Sequence, residues 1–81
     1  MTHDLKISKE YYQDVLLRFK TFELRRNDRD YKVGDILLLN EYDINDLKYT
    51  GRKLKRVITY ILKGGNYGLD ENFVIMGIKR L

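Results

Sequence analysis

The chain has 81 residues, 43% of them hydrophobic and 35% charged, which is the composition of one folded domain covering residues 1–81. It contains no cysteine and no apolar run near the length of a membrane span, which excludes disulfides, thiolate metal sites and a membrane role. A net charge of +4, from 16 basic and 12 acidic residues, permits a polyanionic partner without requiring one. With no signal peptide, the cytoplasm is the expected compartment.

A strand and a helix are predicted at the start of the chain. His3 to Ile7 alternates in polarity, which predicts a short strand. Ser8 is a suitable N-cap and an apolar stripe follows at helical spacing, so we expect a helix from Lys9 to Arg18. The stripe, which should pack against the sheet, consists of Tyr12, Val15, Leu16 and Phe19.

Four more strands are predicted after the helix. Segments 21–26, 36–42, 52–62 and 73–81 are separated by turns and loops that contain Asn, Asp and Gly. The alternation slips near Arg56, which indicates a bulge or a bend, and strands with slips and glycines suit a closed or half-closed barrel. We therefore expect an α+β, mainly β protein: a small barrel of about five strands with one main helix between the first two. Its core should also include Leu37, Leu39, Ile58 and Ile75.

The segment from Arg18 to Arg25 contains the charged residues that are the main candidates for a binding site. Glu23 and Arg25 lie two apart on a predicted strand and share a face, and Lys20 can reach toward the same place. One interpretation is a ligand cleft in which Arg25 binds a phosphate or a base edge through its planar guanidinium. The other interpretation is a structural ion pair that holds the helix to the barrel.

This segment resembles the G-x-K-x-x-E-x-R signature of ASCH (activating signal cointegrator homology) domains, which are small PUA-like β-barrels. Further blocks resemble a small bacterial and phage branch allied to that family: residues 3–7, 27–31, 33–37, 49–52, 59–62 and 64–69. The resemblance implies a PUA-like barrel that binds RNA or a nucleotide in a charged cleft. We expect no cofactor. Arg18 stands where the family pattern has glycine, so we expect the helix to end differently, extending toward Phe19, and the added charge to favour an anion.

Two other classes of function stay open. Some ASCH-like proteins resemble amidohydrolases that act on acylated cytidine, using a lysine, a threonine and a glutamate in this cleft. That group has threonine where this chain has Glu23, and Thr21 is two positions away on the same predicted face. A desolvated lysine can act as a nucleophile or base, but the spacing does not require it. The remaining class is a protein-interaction module carried by a mobile element, which large exposed apolar patches would favour.

The basic residues between Lys48 and Lys63 occur without one acid among them. Basic residues interleaved with aromatic ones are typical of single-strand RNA binders, in which cations contact phosphates and rings stack on bases. The alternative is a solvated strand face in a charge-rich protein. The residues predicted to contact phosphates are Arg18, Lys53, Lys55 and Arg56.

A glycine-rich segment, residues 64–68, precedes the last predicted strand. It lacks the Lys-Ser/Thr of a phosphate-binding loop, so we expect a flexible connection near the charged cleft. Tyr67 within it is a candidate stacking surface over the ligand. His3 is the single histidine, so no metal site is predicted, and we expect it to form a hydrogen bond at the start of its strand.

Overall fold

The structure is a computed structural model that describes residues 1–81. Its elements are β1 (Thr2–Ser8), α1 (Lys9–Leu16), β2 (Phe22–Arg26), β3 (Ile36–Asp43), β4 (Lys48–Lys63) and β5 (Phe73–Lys79). The strands form one sheet in the order β1-β3-β4-β5-β2, in which β1 is parallel to β3 and the other neighbours are antiparallel. The sheet curls into a half-barrel, so the predicted mainly β fold with a helix between the first two strands is confirmed.

The curl of the sheet depends on β4, which has 16 residues and belongs to both halves of the half-barrel. Its first part pairs with β3 and its second part with β5. The register shifts between Asn40 and Tyr42 on β3, and again between Ile58 and Tyr60 on β4. Bulges of this kind bend a strand and increase its twist. The bulge on β4 lies just beyond the slip predicted near Arg56, where Arg56 and Ile58 still alternate inward.

The two edge strands lie on either side of a cleft. β1 pairs only with β3 and β2 only with β5, and no ladder of hydrogen bonds joins the two edges. Residues from both edges and from α1 line the space between them. The barrel is therefore open along one side.

The core lies on the inner face of the sheet, where α1 packs against β1 and β3. Its buried apolar residues are Leu5, Ile7, Tyr12, Val15, Tyr31, Leu37, Leu39, Ile58, Val74, Met76 and Ile78. The prediction for Leu37, Leu39 and Ile58 is confirmed. The prediction for Ile75 is wrong, because the alternation of β5 turns Val74 and Met76 inward and leaves Ile75 half-buried on the outer face.

The buried stripe of α1 is narrower than the sequence predicts. Tyr12 and Val15 are buried, as expected, whereas Leu16 is 42% exposed and Phe19 is 80% exposed. Phe19 is excluded from the stripe because the helix ends before it. No helix of the chain is long and apolar enough to cross a membrane.

The end of α1 corrects the expectation that Arg18 would let the helix continue toward Phe19. Arg18 instead adopts the left-handed conformation, with φ 65°. The Arg18 N–H donates to the Val15 carbonyl (3.0 Å), and the Phe19 N–H donates to the Asp14 carbonyl (2.9 Å). This is the Schellman termination, which glycine usually forms. Arginine therefore occupies a glycine conformation here.

Candidate nucleic-acid interface and ligand cleft

Lys20, Glu23 and Arg25 meet in the gap between the two edges of the sheet, which we call the edge cleft. Glu23 points inward from β2 and is only 2% exposed. Lys20 Nζ donates to Glu23 Oε1 (2.6 Å), and Arg25 Nε donates to Glu23 Oε2 (2.9 Å). Each carboxylate oxygen therefore has its own cation. The structure thus brings together the three charged residues that the sequence places on one side of β2.

The two cations of this triad differ in how much bonding capacity they retain. Lys20 Nζ also donates to the Phe22 carbonyl (2.9 Å) and lies 5.4 Å from the centroid of the Tyr11 ring, so it ties α1 to β2. Arg25 uses only Nε within the protein, and neither of its terminal nitrogens forms a hydrogen bond. The triad is thus a structural ion pair on the Lys20 side, and it leaves donors available for a ligand on the Arg25 side.

The edge cleft encloses about 460 Å³. Its walls are Lys6, Ile7 and Ser8 of β1, Tyr11 of α1, and Lys20, Phe22, Glu23, Leu24 and Arg25 on and before β2. The cleft is of a size that accepts a small ligand.

Tyr67 is not part of the edge cleft. It is 93% exposed, and no residue of the glycine-rich segment 64–68 lines the cleft. The register of β2 and β5 explains this, because Arg26 pairs with Phe73 beside the glycine-rich segment, whereas Lys20 precedes the opposite end of β2. The expected convergence of that segment with the charged triad is therefore corrected.

A second depression, which we call the outer groove, lies on the outer face of β1, β3 and the first part of β4. It has a volume of about 620 Å³. Across it, Lys6 pairs with Asn40 and Asn40 pairs with Lys53, so the three side chains form one row. Lys55 stands two residues along β4 from Lys53 and projects on the same side.

Two tyrosines form the next row on this face of the sheet, and one of them, Tyr49, lines the outer groove. Tyr42 and Tyr49 pair directly across β3 and β4, with ring centroids 5.1 Å apart and the planes at 80°. Lys6 Nζ lies 4.5 Å from the centroid of Tyr42. Tyr49 is 57% exposed, so its ring is accessible from solvent.

The charges of the outer groove are mostly positive. Lys6, Arg29, Arg52 and Lys53 line it, against one carboxylate, that of Asp4. Asn40 Nδ2 donates to the Asp4 carboxylate, and Arg52 pairs with the buried Glu41 (3.5 Å). None of the ion pairs in the protein includes Lys6, Lys53 or Lys55. These ammonium groups are therefore free to meet phosphates.

Arg56 does not belong to the same surface as Lys53 and Lys55. It points inward, is 8% exposed, and donates to the carbonyl oxygens of Lys55 (2.9 Å) and Val15 (3.2 Å). Burial, followed by the nearby charges of Arg80 and Arg18, lowers the pKa of its guanidinium below the ordinary value. The predicted single stripe is therefore corrected, because strand alternation divides it between two faces.

One feature of the site, the position of Lys6, carries little signal in the sequence. Lys6 is one charged residue on a short alternating strand, and only the parallel pairing of β1 with β3 brings it beside Asn40 and Tyr42.

His3 Nε2 lies 2.8 Å from Asp35 Oδ2, which is the hydrogen bond expected at the strand start. No group of three or more histidine, aspartate or glutamate side chains is arranged to hold a metal ion.

The fold and these surfaces define a small, mainly β half-barrel with a basic outer groove and a charged cleft at its open side. The chain belongs to the family described as a domain of unknown function, DUF3850, which it matches over residues 2–78. It is also similar to a protein of Escherichia phage P2 described as an uncharacterized 12.9 kDa protein in the GpA 3′ region. The two are 39% identical over 57 residues, which cover 70% of this chain and 50% of the phage protein. The chain thus spans about half the length of that relative.

Proposed function

We propose that this protein is a non-catalytic RNA-binding module of the ASCH-like, PUA-like type, acting in the cytoplasm. Single-stranded RNA would lie along the outer groove, with a nucleotide in the edge cleft. The observation that carries the proposal is the interleaving of unpaired lysines with tyrosine rings on one sheet face: Lys6, Tyr42, Tyr49 and Lys53. Single-strand binders combine these two kinds of side chain, because cations follow the backbone and rings stack on bases.

The outer groove and the edge cleft share Lys6, which lines both. A strand of RNA that crosses the outer groove would therefore reach the cleft without leaving basic surface. There it would meet the terminal nitrogens of Arg25, which have no partner in the protein. A guanidinium with two free terminal nitrogens can bind a base edge or a phosphate, so the same geometry serves a free nucleotide.

The arrangement of the edge cleft supports binding over catalysis. The amidohydrolase alternative needs a lysine, a threonine and a glutamate in one cleft. Thr21 lines a different depression and not the edge cleft, and Lys20 is committed to Glu23 and to the Phe22 carbonyl. We therefore expect no hydrolysis of acylated nucleosides by the purified protein; turnover that Lys20→Ala abolished would establish the enzyme instead.

Fluorescence anisotropy with labelled single-stranded RNA at low salt tests the proposal. Tyr49→Ala should weaken binding by about 5- to 150-fold, because loss of stacking on one base costs about 1–3 kcal/mol. Tyr67→Ala is the matched control, since that ring is also exposed but lies off the groove. Absence of binding, or equal effects of the two substitutions, would refute RNA binding by the outer groove.

A second candidate function, protein interaction, is supported by a different part of the outer face. Strand β2 turns Phe22 and Leu24 outward, 46% and 49% exposed, and residues of β5 and β4 continue the patch. This apolar face consists of Phe22, Leu24, Tyr60, Leu62 and Ile75. Contiguous exposed apolar surface of this kind is typical of protein-binding sites.

The simplest partner to test for the apolar face is a second copy of the chain. Sedimentation over a wide concentration range should show a dimer that Leu24→Lys dissociates, while Lys53→Ala leaves it intact. A monomer at every concentration would remove self-association from the candidate functions and leave the outer groove as the functional surface.

A further inference from the structure

A third depression, the basic pocket, lies at the C-terminal end of α1 and has a volume of about 280 Å³. Five of its lining residues are basic and none is acidic: Arg18, Lys20, Arg56, Lys79 and Arg80. It shares no residue with the outer groove. The pocket therefore concentrates positive charge at a place that the proposed RNA path over the outer groove does not use.

Arg56 forms the floor of the basic pocket. Its side chain is buried, yet no carboxylate pairs with it, and its hydrogen bonds go only to carbonyl oxygens. A buried cation without a counter-ion is unfavourable, and the neighbouring charges of Arg18 and Arg80 add to the repulsion. A bound anion would relieve both effects.

Arg18 provides an independent observation at the rim of the basic pocket. It holds the left-handed conformation, φ 65°, that glycine adopts without strain. Its backbone N–H takes part in the hydrogen bonds that end the helix, but its side chain takes part in no ion pair and no hydrogen bond. Backbone strain of this kind is typical of functional sites.

Capping of the helix explains only part of this charge. Cations near a helix C-terminus are stabilised by the helix dipole, and Arg56 Nη2 does donate to the Val15 carbonyl. The side chains of Arg18, Lys79 and Arg80, in contrast, donate to no helix carbonyl. Three of the five cations therefore have no structural partner.

We propose that the basic pocket binds a phosphate monoester, either the phosphate of a free nucleotide or the 5′-phosphate of an RNA end. Such a group carries close to two negative charges at neutral pH and three acceptor oxygens, which suits a small pocket with several guanidinium groups. The proposal does not depend on RNA binding by the outer groove, because the two sites have no residue in common.

Isothermal titration calorimetry at low salt with inorganic phosphate, AMP and adenosine tests the site. Phosphate and AMP should bind and adenosine should not. Arg18→Gly and Arg80→Gln should each weaken binding of AMP about tenfold, as expected when one charged hydrogen-bonding group is removed. Lys63→Gln is the control, because Lys63 is exposed and lines none of the three depressions.

Arg18→Gly separates a ligand role from a structural one. Because glycine relieves the strained backbone, the melting temperature of this variant without ligand should stay equal or rise, while affinity for AMP falls. Unchanged affinity for AMP in Arg18→Gly, or no heat with phosphate and AMP, would overturn the proposal.

The source of the phosphate is distinguished with 5′-phosphorylated and 5′-hydroxyl forms of one short RNA. A preference of about tenfold for the phosphorylated form, retained in the Lys53→Ala/Lys55→Ala variant, would assign the pocket to an RNA end. Equal affinity for the two RNAs, together with binding of AMP, would assign it to a free nucleotide. If the unsubstituted protein binds AMP but neither RNA, RNA binding by the outer groove is refuted and the basic pocket is not.

Discussion

Arg25 Nε donates to Glu23 Oε2 over 2.9 Å, although the two residues are separated by one position on the same edge strand. Strand alternation turns both side chains inward, and it turns Phe22 and Leu24 outward. The inner face of β2 therefore carries a buried carboxylate held by cations, where an ordinary strand would carry apolar side chains. The shape of the edge cleft depends on this pairing.

Substitution of Glu23 with glutamine should destabilise the protein by about 2–4 kcal/mol, because it leaves Lys20 and Arg25 without their counter-charge in a half-buried site. Urea denaturation followed by circular dichroism measures the change. Glu71→Gln is the matched control, since Glu71 is exposed and unpaired, and it should stay within about 0.5 kcal/mol. A loss below about 1 kcal/mol for Glu23→Gln would show that the triad contributes little to stability.

Acid should destabilise the protein through Asp35. Its carboxylate accepts from His3 Nε2 (2.8 Å) and from the Lys32 N–H (3.1 Å), and the bond with His3 is the main cause that lowers the pKa of Asp35. Because the folded-state pKa lies below the unfolded value of about 3.9, this stabilisation is complete above that value. It is lost as the pH falls through the lowered pKa.

Denaturation midpoints measured at intervals from roughly pH 2 to pH 7 test this pH dependence. Asp35→Asn should flatten the acid side of the stability profile. Asp43→Asn is the comparison variant. The pKa of Asp43 is also lowered, mainly by the hydrogen bond from the Asp46 N–H, but this carboxylate lies at a separate place in the protein. If Asp35→Asn leaves the loss of stability at acidic pH unchanged, Asp35 is not the group that causes it.

Two leucine truncations test the position of the core. Leu39 is fully buried, so Leu39→Ala should cost about 2–5 kcal/mol. Leu16 is 42% exposed, so Leu16→Ala should cost less than about 1 kcal/mol. Thermal or urea denaturation gives both values. Equal losses would mean that the face of α1 carrying Leu16 is covered by something other than the sheet.

The fold was predictable from the sequence because its signals are local. Alternation in β1 to β5 and the Ser8 cap of α1 appear within a few residues, and together they indicate the order of the elements. The helix boundary was missed because arginine at position 18 carries no local sign of a left-handed conformation. Ile75 was misplaced because the inward face of β5 is set by its pairing with β2 and β4.

In the candidate sites, too, features set by local alternation could be predicted, and features set by pairing between distant strands could not. The shared face of Glu23 and Arg25 follows from the period of one strand, and the long side chain of Lys20 reaches them from just before that strand, so the cluster could be predicted. The distance of Tyr67 from that cluster depends on the register between β2 and β5, which joins segments far apart in sequence. The inward turn of Arg56, by contrast, follows from local alternation: Lys53 and Lys55 project to one face of β4, and Arg56 projects to the other.

The salt dependence of RNA affinity is the most direct test of whether Lys53 and Lys55 contact phosphates. Each phosphate contact with a single strand contributes about −0.7 to the slope of log K against log salt. We predict that Lys53→Ala/Lys55→Ala makes this slope shallower by about 1 to 1.5 and weakens binding to all sequences alike, whereas Lys63→Ala leaves it unchanged. A slope that the double substitution does not alter, or no binding of RNA at the lowest salt concentration, would contradict the account.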